Sequence, residues 1–466
     1  MPASVATILT FLFIAGLFLW DSRRNPGNSF ALWLPALWIF VVGSRFPTQW
    51  FQLGNPAAVA NITEGSPMDA MFFGLLVIAG FAVLMRRQVF SGVFFRQNMW
   101  LIALLIFGFL SIAWSDFPFI ALKRWIKALG HPVMAMIVLT DPETMRSFRT
   151  VMKRTAFVLF PLSVLFVKYL PEFGRGFDQW TGAGFFRGVM LTKNDLGYVC
   201  MIFGLFFLWN LLSRKQIENT VHRRDETLLS ILFLGIIAYL LSLADSATSL
   251  ATLAIGAATL VGLGTRFVSR RHFGIYLIVF GAALLAVELT FDAYSKIVTM
   301  LGRDPTLTDR TELWTDAIAI QSRPMTGMGF ESYWLGSRLD WMSAKWWWQP
   351  NQAHNGYIEI YLNLGFIGLF LFFALIVSTF RKAAAGLTSE SEFEFSRLRL
   401  AMLFAILSHN YTEATFKGVH LLWTMFHLVA INIPERGTVG ARIRPASEGA
   451  SGLKGKFRTS QFRNVR

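Results

Sequence analysis

Long apolar runs broken by short polar connectors dominate the 466-residue chain. "ILTFLFIAGLFLW" (8–20), "AMFFGLLVIAGFAVLM" (70–85), "WLIALLIFGFLSIAW" (100–114) and "GFIGLFLFFALIVSTF" (365–380) each approach the ~20 residues that cross about 30 Å of hydrocarbon as a helix. Alternation of the β-barrel kind is absent, so the spans are helical. The pattern predicts an all-α, polytopic helical integral membrane protein of roughly twelve or thirteen spans. They fall at 4–20, 30–43, 70–85, 98–114, 119–140, 155–169, 189–211, 227–243, 247–265, 273–290, 355–380, 398–412 and 419–432. No basic segment precedes Leu9–Trp20, which therefore reads as a retained span rather than a cleaved leader.

Composition agrees, with 54% hydrophobic and 15% charged residues. The net charge of +15 changes the picture through its distribution. Basic residues gather on every second connector: Arg23 and Arg24; Arg86, Arg87 and Arg96; Arg146, Arg149, Lys153 and Arg154; Arg214, Lys215, Arg223 and Arg224; Arg266, Arg270 and Arg271; Arg381 and Lys382. That is the positive-inside pattern of a cytoplasmic face held against anionic membrane lipid, and it needs no nucleic acid. The remaining loops, 44–69, 170–188, 244–246 and 291–354, then face outward. The longest carries six basic and seven acidic residues, so it lacks the cytoplasmic signature. Within it, 309–320 has the spacing of an amphipathic helix, and "KWWWQP" (345–350) is an aromatic cluster suited to a membrane interface. The expected organisation is an N-terminal bundle (1–290), an external, partly helical cap (291–354), C-terminal spans (355–432) and a basic, disordered cytoplasmic tail (433–466).

Against this background "QAHNGYIEIYLNLGFIGL" (352–369) stands out, because it carries ionisable groups into an apolar run. As one helix it would align His354 with Ile358, Tyr361 and Gly365, and Asn355 with Glu359 and Asn363; Gly365 and Gly368 would admit another backbone. An ionisable group inside a span faces protein or a water-filled cavity. Glu359 either pairs with a nearby arginine to fix packing or supports a functional histidine. Arg175, Arg187, Arg303, Arg310 and Arg323 lie in outer loops, and Lys193 and Asn194 open the next span. A cation such as Arg310 at a helix start opposes the macrodipole unless an anion binds there too. Lys123, Arg124 and Lys127 either bind a phosphate head group or snorkel to the interface. "GMGF" (327–330) reads as a turn and "DSATS" (245–249) as a helix cap. The single cysteine, Cys200, reads as a buried thiol. His131, His272, His409, His420 and His427 lack metal-ligand spacing, so no metal site is expected.

"HNGYIEIYLNLGFIG" resembles the signature of the O-antigen ligase and polysaccharide polymerase family, in which a His-Asn or His-Ser pair is followed, after nine residues, by a glycine, here Gly365. "TDRTELWTDAI" with "RPMTGMGF", "FRGVMLTKNDLG" and "LSLADSATSLATL" resemble further family segments, in the family's order, over about 170–380. Asp309 departs from a common glycine, and Gly368 stands where ligases often carry threonine, which favours polymerase over ligase. With "KRWIKALGHPVMAM" the chain looks most similar to exopolysaccharide polymerases of the succinoglycan type.

The resemblance implies a GT-C-type glycosyltransferase of the bacterial inner membrane with its active site facing the periplasm. Its donor and acceptor would be undecaprenyl-diphosphate-linked oligosaccharides; no cofactor is implied, and chain-length regulators or export proteins are candidate partners. Arginines then stabilise the departing diphosphate, and a histidine accepts the hydroxyl proton or orients the acceptor. On this basis Arg187, Arg310 and His354 are the expected catalytic residues. Arg175, Arg303, Lys193, Asn194, Lys123, Arg124 and Lys127 are candidate substrate contacts, and Asn355, Glu359 and Tyr357 support them. The alternatives are an O-antigen ligase acting on lipid A-core or protein, a transporter, or an assembly protein. The long external loop and the lack of an evident inverted repeat or broken-helix pair disfavour the transporter.

Overall fold

A computed structural model of the protein describes residues 1–51, 66–178, 182–216, 219–276, 279 and 310–434. Met1–Ile433 form one compact unit; Pro434–Arg466 form a second, of which Pro434 alone is described. The expected span 273–290 beyond its first residues, Arg303, and the tail after Pro434 lie outside the described residues. The principal helices are α1 (Ala3–Arg24), α2 (Trp33–Val42), α3 (Pro67–Arg86), α4 (Met99–Leu110), α5 (Pro118–Ala128), α6 (Gly130–Leu139), α7 (Thr144–Tyr169), α8 (Lys193–Leu212), α9 (Thr220–Ala244), α10 (Ala247–Leu263), α11 (Arg310–Ala319), α12 (Ser337–Lys345), α13 (Gly356–Gly386), α14 (Phe393–Thr412) and α15 (Leu421–Ala430). Among the described residues, six helices are long and apolar enough to cross a membrane (α1, α3, α7, α8 with the turn after it, α9 and α13), and four shorter apolar ones join them. The protein is an all-α, multi-pass membrane protein. A two-stranded antiparallel hairpin, β1 (Arg175–Phe177) and β2 (Gly184–Phe186), is an addition the hydropathy pattern did not signal.

Burial sorts the helices into layers. The apolar window of α1 is 11% buried, whereas those of α7 and α8 are 89% and 83% buried. Three helices that all pass as membrane spans by hydropathy thus have different surroundings: α7 and α8 are enclosed by protein, whereas α1 leaves most of its apolar surface uncovered. The interior is aromatic: Phe157 and Phe160 of α7 meet Phe203 and Phe207 of α8 and Phe233 of α9, with Phe207 stacked on Phe233 at 4.9 Å between centroids.

The structure corrects several expected boundaries. α7 and α9 begin earlier than the apolar runs they contain, so Arg146, Arg149, Lys153, Arg154, Arg223 and Arg224 sit on helices rather than in connectors. Lys153 Nζ lies 2.5 Å from Glu226 of α9 and 3.9 Å from Asp21 of α1, and Arg154 Nε lies 2.9 Å from Asp21. Asn210 and Ser230 join the same buried network. Charged residues extend these helices inward because other helices bring their counter-charges, which a count of consecutive apolar residues does not register. The expected span 119–140 is two helices interrupted at Leu129; Gly130 sits so close to Trp38 that a Cβ there would lie 2.0 Å from its ring. In the tryptophan cluster only Trp347 is well exposed. Trp346 donates to Asp316 at 3.0 Å and Trp348 packs on Trp346, so two of the three rings serve the cap's own core rather than the interface. The amphipathic helix in the long loop is present as α11, burying Leu313 and Ala317.

Because Lys153 and Glu226 are each about 3% exposed, removing one partner strands a charge. Glu226→Ala is expected to lower stability in detergent by about 3–5 kcal/mol, and Lys153→Met with Glu226→Leu to recover most of it. Equilibrium unfolding of the variants checks this; an unchanged single variant would show that Lys153 reaches water.

Candidate functional site

The segment opening at His354 is not one helix. Gly365 has φ 66° and ψ −165°, and α13 breaks there. The backbone groups freed by the break are taken up by the "RPMTGMGF" segment. Phe366 N donates to Pro324 O (2.8 Å) and Ile367 N to Met325 O (3.1 Å), while Met328 N and Gly329 N donate to Leu362 O and Asn363 O at 3.1 and 3.0 Å. Within an apolar bundle no water replaces these partners, so the loop is a condition of the break. Close approach demands glycine on both sides: a Cβ on Gly327 would meet the Asn363 carbonyl at 2.3 Å, and one on Gly365 the Met325 carbonyl at 2.4 Å. The turn expected at 327–330 is therefore also the splint of a broken helix. The close backbone approach expected at Gly365 is present, whereas Gly368 packs against Leu364 of its own helix.

The break removes the expected alignment of His354 with Gly365. His354 stands before α13 in the left-handed region, φ 50°, and Asn355 is the N-cap, its Oδ1 accepting from Tyr357 N and Ile358 N at 2.9 and 3.1 Å. Asn355 Nδ2 donates to Tyr411 O at 3.0 Å, docking the start of α13 on the end of α14. Glu413, just past α14, is thereby placed against His354. Its Oε2 lies 3.4 Å from His354 Nδ1, and its Oε1 lies 3.5 Å from Arg310 Nη2 and 3.1 Å from Asn194 Nδ2. Arg310 Nη1 also donates to the Thr412 carbonyl. Burial favours the protonated acid, but the His354 hydrogen bond and the Arg310, His354 and His409 charges outweigh it, holding Glu413 below the usual carboxylate range. Gln352, also at 3.4 Å, approaches Nδ1 as well. The Glu413 carboxylate can only accept, so its contact assigns the proton to Nδ1 and leaves Nε2 as the acceptor, whereas the Gln352 amide nitrogen, a donor, does not compete for that proton.

The supporting residues do different work from one another. Glu359 accepts from Ala353 N at 2.7 Å and from Trp334 Nε1 at 3.0 Å, and Asn363 Nδ2 lies 3.3 Å away. It holds the backbone next to His354 without touching the imidazole, and no arginine pairs with it among the described residues. Tyr357 donates to Leu407 O at 2.9 Å, a second tie to α14. Lys123 lies 4.8 Å from the Phe119 ring centroid, and Arg124 donates to the Glu331 carbonyl. Glu331 accepts from Gly418 N, and beside it burial lowers the Lys417 and Lys127 ammonium groups. Glu331, Lys417 and Glu359 border a cavity of about 50 Å³.

Among the described residues no hydrogen bond or ion pair joins Arg187 to His354, Arg310 or Glu413. Its Nε donates to Phe173 O at 3.2 Å, and Arg45 Nη2 donates to the same carbonyl at 2.6 Å. Burial and the neighbouring Arg187 lower Arg45 to about 10. Arg175 donates to Val167 O and lies 5.2 Å from the Phe186 ring centroid. Lys193 is the first residue of α8, inside the Thr192–Asp195 capping box. Glu413 and Arg45 escaped the sequence reading. A carboxylate in a two-helix connector looks solvated, yet its place at a helix C-terminus opposes the macrodipole, as Arg310 does at an N-terminus, and that was the available signal.

A multi-pass helical protein with a polar, histidine-bearing site at one end of its bundle is thus defined by the fold. Comparison with known proteins narrows it. Residues 228–373 match the family model described as O-antigen ligase, a stretch that includes Arg310, His354 and Gly365. The chain is 28% identical over 373 residues to the exopolysaccharide production protein ExoQ of Rhizobium meliloti (strain 1021), covering 76% of this chain and 81% of that protein. Both matches point to the O-antigen ligase/polymerase family.

Gly365→Ala is expected to cost about 1–3 kcal/mol in backbone conformation alone, beyond the clash with Met325. Thermal unfolding in micelles reads this, and an unchanged midpoint would mean that α13 runs through without a break.

Proposed function

We propose that the protein polymerises undecaprenyl-diphosphate-linked oligosaccharide units by metal-independent glycosyl transfer, at the periplasmic side of the inner membrane. The observation that carries this reading is the single carboxylate, Glu413, shared by His354 and Arg310. Glu413 holds the Nδ1–H tautomer, so His354 Nε2 takes the proton as the acceptor hydroxyl attacks the anomeric carbon. The glycosyl–oxygen bond to the diphosphate breaks in the same displacement, inverting that carbon. Arg310, with donors beyond those given to Glu413 and Thr412, meets the leaving oxygens, and Arg187 with Arg45 adds positive charge along the diphosphate. Chain direction supports the sidedness. Arg381 and Lys382 lie near the end of α13 opposite His354, and Arg214 and Lys215 follow α8 at the end opposite Asn194, a distribution that by the positive-inside rule supports an outward-facing site.

With EDTA present throughout, membranes carrying His354→Ala are expected to lose about 10²–10⁴-fold in polymer formation, and Arg310→Lys to fail for want of a planar fork. Glu413→Gln should lower the rate at unchanged folding, while Glu413→Asp restores part of it. Wild-type polymer from His354→Ala removes the assignment.

The family description as O-antigen ligase favours a second reading, transfer of a finished glycan to lipid A-core or protein. Deleting the gene separates the two. Accumulated single lipid-linked repeats are expected for a polymerase, and accumulated lipid-linked polymer would instead identify a ligase.

A further inference from the structure

At the end of the bundle opposite His354 lies a cavity of about 290 Å³, lined by Arg24, Asn25, Arg146, Arg149, Thr150, Lys153, His222 and Glu226. Three of its cations are balanced. Arg24 pairs with Asp225 at 2.6 Å, Arg146 with Glu143 at 3.2 Å, and Lys153 with Glu226 at 2.5 Å. Arg149 has no carboxylate within ion-pair distance among the described residues. Its guanidinium lies 4.8 Å from the Trp209 ring centroid, its Nη2 donates to Ser213 Oγ at 3.0 Å, and its Nε is buried without a partner. An arginine that merely snorkelled would carry its charge out to the head-group layer. This one is folded inward, stacked and tethered, and lines the cavity without a direct ion pair, the Glu226 and Glu394 carboxylates acting on it only from beyond contact distance.

We infer that this cavity is a binding site for a phosphate-bearing head group, with Arg149 as its principal anion contact and Arg146 at its mouth. The neutral donors and acceptors of Asn25 and Thr150 complete a wall suited to a phosphodiester and a small polar substituent. The volume is near the lower end of the ~300–1,000 Å³ typical of small-ligand sites, which fits a head group rather than a whole large ligand. One cation without a direct ion pair suits the single charge of a phosphodiester. The phosphate could belong to a phospholipid of the adjoining leaflet or to a soluble organic phosphate; the contacts required are the same. The site is separate from the proposed transfer chemistry, and its test does not depend on that reading.

The full chain in detergent, titrated with phosphatidylglycerol or phosphatidylcholine and followed by native mass spectrometry, is expected to retain phosphatidylglycerol saturably. Arg149→Gln and the mouth variant Arg146→Gln should each weaken retention about fivefold or more, and Arg149→Lys less. If the source is soluble, glycerol 3-phosphate raises the wild-type melting temperature but not that of the Gln variants, while lipid retention is equal in all. Arg146→Gln decides the matter should Arg149→Gln fail to fold. Wild-type binding of both probes by the Gln variants, or binding of neither by the wild type, overturns the inference.

Discussion

A charge removed from water inside an apolar bundle must find its counter-charge on another part of the chain, and this constraint organises both ends of the molecule. At one end Lys153 and Arg154 of α7 are neutralised by Glu226 of α9 and Asp21 of α1. At the other, Glu413 after α14 is held by Arg310 of α11 and by His354 before α13. The partners come from segments far apart in sequence, so each network also fixes how the helices assemble. The two networks nevertheless differ in use. The first is closed almost completely by its own members, whereas in the second Glu413 meets His354 only through Nδ1 and Arg310 only through Nη2.

The broken helix serves the same end by a different route. A continuous α13 would have run past the cap without receiving it; the break at Gly365 opens backbone groups that the 324–329 segment takes up. Cap and bundle are thereby locked within one hydrogen-bonded seam, and Glu359 and Asn363 continue that seam with bonds to the Ala353 and Tyr333 amides. The precision needed to hold an imidazole against a carboxylate comes from this seam and from the Asn355 bond to Tyr411. The left-handed backbone at His354 is kept in place by the same contacts.

The proposed chemistry and the inferred head-group site place arginines in two distinct settings. Arg310 is poised by a carboxylate that orients it, and it keeps donors for a substrate. Arg149 is poised by an indole face and a hydroxyl, with no carboxylate in ion-pair contact among the described residues. Both differ from Arg175, whose Nε and Nη2 both donate to the Val167 carbonyl, and from Arg338, which pairs with Asp116 at 2.8 Å.

What the amino-acid order determined was the class and its landmarks. Apolar length requires helices where no water can satisfy a backbone, and alternating basic connectors set which helix ends gather together. His354, Asn355 and Arg310 were visible because a polar group in or beside an apolar run has no cheap explanation. The roles of Glu413, Arg45 and Arg149 were not: Glu413 and Arg149 sit among polar neighbours that look solvated one segment at a time, and Arg45 ends an apolar run as any interfacial arginine does. Their importance comes from what other helices bring to them, and from Gly365 turning a span into two. Pairing across segments is a property of packing, and packing is what local periodicity cannot encode.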